Sequence, residues 1–93
     1  MEKTIFQRRT NEIEAGKKRN EAKAVIEQLN SKWQTPFVPR QQIGVFTSGL
    51  YSCEYLANLD SLGTGPQGAF KIGRQVVYPL ANLTEWLIAR IEV

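Results

Sequence analysis

Residues Thr47 to Leu62 read TSGLYSCEYLANLDSL, and this stretch decides the fold. Gly49 tolerates a positive φ and Ser48 can bond local backbone, so residues 47–51 are expected to form a tight turn. Ser52 has the chemistry of a helix N-cap, and Glu54 is favourable in the positively polarised first turn. Leu56 with Leu59 or Leu62 supplies a buried stripe, which predicts a helix over residues 52–62. Just upstream, Phe37-Val38-Pro39-Arg40 reads as an extended lead-in. Pro39 then opens a short helix from Arg40 to about Phe46, with Ile43 and Phe46 facing inward. Two short helices joined by a tight turn make a helix-turn-helix unit.

Downstream, Gly63-Thr64-Gly65-Pro66-Gln67-Gly68 is a glycine-rich break. It lacks the Gly-Lys-Ser/Thr ending of a phosphate cradle. Two β-prone runs follow, Ala69–Ile72 and Gln75–Tyr78, separated by Gly73-Arg74. A two-residue Gly-X connection predicts a type II′ hairpin. Phe70, Ile72, Val76 and Tyr78 are expected to share faces across it. Pro79 cannot continue the ladder and can begin a helix. Leu80, Leu83, Leu87 and Ile91, widened by Trp86 and Ile88, place a final helix at about 80–91, with Trp86 in the core. A hairpin after the second helix gives a winged helix-turn-helix.

Upstream, Ala22, Val25, Ile26, Leu29 and Trp33 lie on one helical face, and Thr35-Pro36 ends that helix. Trp33 suits either the core or a dimer contact. Residues 1–18 are polar, with Ile5, Phe6 and Ile13 as isolated apolar positions, so a mobile arm or a frayed helix start is expected there. The expected architecture is mainly α with a small β-hairpin. It comprises a flexible basic arm at 1–17, an N-terminal amphipathic helix at 18–35 and a winged helix-turn-helix domain at 36–93.

Composition narrows the function. The 93 residues are 42% hydrophobic and 23% charged, which suits one modest domain with an arm. There is no apolar run of about 18 residues to cross a membrane. Met1 to Thr10 has no apolar stretch and no cleavage site, so a cytoplasmic location is expected. A single cysteine, Cys53, and no histidine leave no disulfide framework, no multi-cysteine metal site and no usual general base. No nucleophile–base pair is visible either, so neither an enzyme nor a cofactor is expected. Of the net charge of +3, residues 1–50 carry nine basic and five acidic side chains, while residues 51–93 carry three basic and four acidic ones. A basic first half suits a polyanion, although a solvated helical arm of mixed charge has the same composition.

The stretch from Val38 to Ile91 resembles the excisionase and AlpA-type proteins, small winged-helix DNA binders of the MerR-like superfamily. The resemblance rests on the short helix at Pro39–Phe46, the turn Thr47–Ser52 and the Gly65-Pro66 step. It continues through Ile72-Gly73-Arg74-Gln75-Val76-Val77-Tyr78, similar to that family's wing, and Asn82-Leu83-Thr84-Glu85-Trp86-Leu87, similar to its closing helix. The resemblance implies sequence-specific binding to double-stranded DNA. It further implies the role of a phage or mobile-element excisionase (a recombination directionality factor) or of a related transcriptional regulator. An integrase is the implied partner, with neighbouring protomers assembling on and bending the DNA. Unlike the family's usual recognition helix, residues 52–60 carry only Glu54 and Asp60 as charges.

The expected DNA contacts are Arg40, Thr47, Ser48, Ser52, Tyr55, Asn58, Lys71 and Arg74. Helix 52–62 would enter the major groove, where Asn58 can pair bidentately with adenine, and hairpin 69–78 would lie on the flanking backbone. Arg8, Arg9, Lys17, Lys18 and Arg19 are the expected arm contacts. Ser52 and Tyr55 also fit an N-cap and a packing residue, and Cys53 an ordinary small side chain. Two other readings compete. One is a protein-interaction module docking an integrase or polymerase subunit. The other is the DNA-recognition subunit of a phage small terminase.

Overall fold

The computed structural model describes the backbone of residues 2–92 and the side chains of residues 15–92. Its first element, α1, is a helix over Glu2–Lys32. The backbone is therefore already helical through residues 2–17, where a flexible arm was expected. The sequence from Glu2 to Lys32 contains no proline and is rich in Glu, Lys, Arg, Gln and Ala, which favour helix propagation once one end is anchored. The anchor is the C-terminal half, where Ile26, Leu29 and Trp33 pack against the core. Val25 is 60% exposed and does not join them. It sits at the edge of the stripe, turned away from the line through Ile26 and Leu29.

α1 ends three residues before Thr35. Trp33 Nε1 donates to Thr35 Oγ1 at 2.9 Å and to the Phe37 carbonyl at 3.0 Å. Its ring meets Phe46 edge-on at 5.2 Å. Trp33 is thereby committed to the fold rather than to a dimer contact, and it draws the chain out of the helix.

The rest of the chain forms β1 (Phe37–Pro39), a 3₁₀ turn (Arg40–Gln42), α2 (Ile43–Phe46), α3 (Cys53–Ser61), β2 (Phe70–Ile72), β3 (Gln75–Pro79) and α4 (Leu80–Ala89). The fold is mixed α/β: four α-helices and one three-stranded antiparallel sheet, ordered β1-β3-β2, among the described residues. The extended lead-in at Phe37–Pro39 is thus a strand, so the expected hairpin gains a third member. Val38 lies opposite Tyr78, and both are fully buried. Pro39 is tolerated because β1 is an edge strand.

The hairpin register differs from the expected one. Phe70 lies opposite Val77 and Ile72 opposite Gln75, so Val76 and Tyr78 take the other face with Lys71. The cause is the two-residue loop, which pairs residue 72 with 75 and therefore even positions with odd ones. Val76 and Tyr78 face the core, and Phe70 and Ile72 remain about half exposed, at 48% and 54%. Gly73 has φ +62° and Arg74 has a negative φ, which fits the expected II′ turn.

The core joins Val38, Ile43, Phe46, Leu56, Tyr78, Leu83 and Leu87. Trp86 is only half buried at its margin, and its Nε1 donates to the Thr64 carbonyl at 3.1 Å. In α3 the inward residue is Leu56; Leu59 is half buried and Leu62 is 73% exposed. Leu56→Ala is expected to lower stability by about 2–5 kcal/mol, while Leu62→Ala should change it by less than about 0.5 kcal/mol. Urea denaturation of the two variants beside the parent checks this contrast.

Candidate nucleic-acid interface

α3 is set by local chemistry at its leading end. Ser52 Oγ accepts from the Tyr55 backbone N–H at 3.1 Å, the expected N-cap. Glu54, in the first turn, is held below the usual carboxylate range by a hydrogen bond from its own backbone N–H and by Cys53. The turn before the helix carries two consecutive positive φ values, +55° at Ser48 and +85° at Gly49. Gly49 adopts this without steric cost; Ser48 carries a Cβ and does so at a cost of about 1–2 kcal/mol.

Thr47 does not sit where the sequence reading put it. It is buried, its hydroxyl donates to the Ile43 carbonyl at 2.8 Å, and it accepts from the Tyr51 N–H at 3.1 Å. It closes α2 and has no face toward a ligand. Ser48, Ser52 and Asn58 are exposed. Tyr55 is 37% exposed, and its hydroxyl accepts from Arg90 Nη2 at 2.9 Å. Glu54, Tyr55, Asn58, Ser61 and Leu62 together form the solvent-facing row of α3.

Arg40 is tied into the fold. Its Nε donates to the Tyr78 hydroxyl at 3.0 Å, and its Nη2 pairs with Asp60 Oδ2. Tyr78 in turn donates to the same carboxylate oxygen. Burial pushes the Tyr78 phenol up to about 12, helped by its bond to Asp60. Burial pulls the Arg40 guanidinium down, but the bonds to Tyr78 and Asp60 outweigh it and raise it overall. Gly65 completes the network from outside: a Cβ there would lie 2.0 Å from Asp60 Oδ1. Asp60, which looked like a charge of the wrong sign for DNA, is therefore the acceptor of an internal ion pair.

Lys71 and Arg74 are exposed on the hairpin. Arg74 shares an open cleft of about 170 Å³ with Arg40, Gln41, Gln75 and Val76. Lys71 stands opposite Val76, on that same face of the sheet. In the arm, Arg8 and Arg9 lie outside the described side chains. Lys17 and Lys18 are exposed, and Arg19 Nη1 donates to the Ile91 carbonyl at 3.2 Å, beyond the end of α4.

One constellation was not foreseen. Tyr51 and Tyr55 stack at 5.2 Å with planes 16° apart. Arg90 Nε donates to the Tyr51 hydroxyl at 3.0 Å, and its guanidinium lies 4.6 Å from the Trp86 ring centre. The tyrosine spacing, one turn apart, was visible in the sequence; the arrival of Arg90 from the far end of the chain was not.

Among the described residues no cluster of His, Cys, Asp and Glu is placed to hold a metal, and no helix is long and apolar enough to cross a membrane. Neither a protein-family model, nor a curated protein, nor a solved structure matches this chain.

The Tyr78 geometry gives a pH signature. The phenol titrates near 10 in the unfolded chain and about 12 in the folded one, so the native state favours its protonated form. That contribution is complete below pH 10 and is lost as pH rises through about 12. The stability gap between the parent and Tyr78→Phe should therefore be constant from pH 7 to 9 and shrink from pH 10 to 12, read as urea midpoints at each pH.

Proposed function

We propose that this chain is a sequence-specific DNA-binding protein of the winged helix-turn-helix kind. In this reading α2 and α3 are the helix-turn-helix, β2 and β3 the wing, and α4 the closing helix. α3 enters the major groove and the wing lies on the flanking backbone. The observation that carries the reading is the pairing of two surfaces. α3 presents an uncovered row that includes Asn58, and the adjoining hairpin, residues 69–78, carries Lys71 and Arg74 with no carboxylate. A narrow helix with a free polar face can read base edges, and cations beside it hold the phosphates.

The family resemblance of residues 38–91 extends the proposal to an excisionase or related regulator acting with an integrase in a bacterial or phage-infected cell. Protomers on adjacent sites would bend the DNA. No covalent chemistry belongs to this role.

A second reading, a protein-interaction module, is favoured by Phe70 and Ile72, which stand about half exposed on the outer face of the hairpin. The sheet there ends in apolar side chains that a partner protein would cover.

Selection of duplexes from a random pool tests the first reading. A sequence should emerge, and its binding should weaken with salt at a log–log slope of about −0.9 per phosphate neutralised. Asn58→Ala should narrow the preference for that sequence over a scrambled one by about 1–3 kcal/mol. Joint Lys71→Gln and Arg74→Gln should weaken binding to all duplexes alike and flatten the slope by about 2. No duplex bound, or a salt-independent affinity, sinks the proposal. Unchanged affinity in the double variant favours the interaction module.

A further inference from the structure

We infer that Arg90, held by Tyr51 and Tyr55, is a DNA phosphate contact at the leading end of α3. The inference rests on the DNA-binding reading and extends it to a residue at the far end of the chain from the arm.

The geometry is that of an oriented cation. Nε and Nη2 of Arg90 each donate to a different phenol oxygen, at 3.0 and 2.9 Å. The guanidinium lies over Trp86 at 4.6 Å and within 5.5 and 6.0 Å of the Tyr51 and Tyr55 rings. Three aromatic groups thus fix its plane while it stays exposed. Its hydrogen bonds to the two phenol oxygens, that to Tyr51 foremost, favour its charged form. The two ion pairs among the described residues are Lys23–Glu27 and Arg40–Asp60, so no described carboxylate neutralises it. Accepting from Arg90 also leaves each phenol proton free to donate outward. The cluster therefore offers one delocalised cation and two hydroxyl donors, which suits a phosphodiester oxygen.

Position decides which polyanion this is. Asp60, near the end of α3, meets Arg40, which shares the hairpin cleft with Arg74. Tyr55, one turn into α3, meets Arg90. The nine residues of α3 span about 14 Å, comparable to the roughly 12 Å width of the major groove. Cationic side chains from other elements thus stand at both ends of the helix, as the two phosphate strands bordering a groove require.

The test compares parent and Arg90→Gln on the selected duplex and on a scrambled one, across a salt series. The loss of one phosphate contact should flatten the log–log slope by about 0.9 and weaken binding to both duplexes by about eightfold at 0.1 M salt. Arg90→Lys, which keeps the charge, should keep the slope. A role in packing alone would lower thermal stability and leave the slope untouched, and that result overturns the inference. If Arg90→Gln does not fold, the parent answers the question: phenylglyoxal should modify Arg90 in the free protein, and saturating duplex should protect it, as read by peptide mass spectrometry. Modification undiminished by duplex also overturns it. Should the parent bind no duplex at all, the broader functional reading fails first. Should it bind with a salt-steep affinity while Arg90→Gln matches it, only the assignment of Arg90 fails.

Discussion

The half-buried hydrogen bonds among Arg40, Tyr78 and Asp60 tie three separate parts of the chain to one point. Arg40 follows β1, Tyr78 belongs to β3, and Asp60 closes α3. A carboxylate drawn partly out of water is costly unless it is paired and its lone pairs are engaged. Here one oxygen receives both a guanidinium N–H and a phenol O–H. Such a network tolerates little displacement, because a partly satisfied one is worse than an apolar contact. The end of α3 is consequently fixed relative to the sheet, and the glycine at position 65 lets the following loop pass close against the carboxylate.

The leading end of α3 is fixed by different means. Ser52 caps it, Thr47 bonds the turn before it, and Tyr51 and Tyr55 reach Arg90 beyond the last turn of α4. α4 is itself packed on α1 through the stripe of Ile26 and Leu29, and Arg19 of α1 bonds the carbonyl of Ile91. α1 therefore acts on α3 indirectly, by setting where α4 ends. A short helix of nine residues is unstable by itself. Pinned at both ends, with Leu56 as its one buried anchor, it can leave an entire face uncovered.

Local chemistry made much of this fold legible in the sequence. Ser52 as a cap and Gly73-Arg74 as a hairpin loop are each decided within a few residues, and the structure places them as expected. Pro79 does stand just before α4, but it also continues the ladder as the last residue of β3, opposite Phe37, which an edge partner permits. What failed was decided at longer range. β1 exists only because Val38 finds Tyr78, forty residues later. The facing of Phe70 and Ile72 was misread because spacing alone does not give register; the parity of the loop does. The extent of α1 was misread because a polar helix has no apolar period to announce it. Among the candidate site residues, Ser48, Ser52, Asn58, Lys71 and Arg74 are exposed, while Thr47 and Arg40 are occupied within the protein. Thr47 and Arg40 were chosen by residue type, which says nothing about what else lies within reach.

The acidic character of α3 weighs less against the proposed DNA binding once the partner of Asp60 is known. Asp60 is neutralised by Arg40 within the fold, and Glu54 stays exposed in the positively polarised first turn of its own helix. Glu54 is thus the one exposed negative charge on the row that contains Asn58. Cations meanwhile stand beside the helix on elements that fold against it: Arg74 and Lys71 from the hairpin and Arg90 from beyond α4. Counting charges along the helix therefore misjudges the field at its surface, because the fold removes one charge and imports three from segments ten to thirty residues away. For a helix this short, the surrounding scaffold, more than the helix sequence, sets the charge that a ligand approaching its open face would meet.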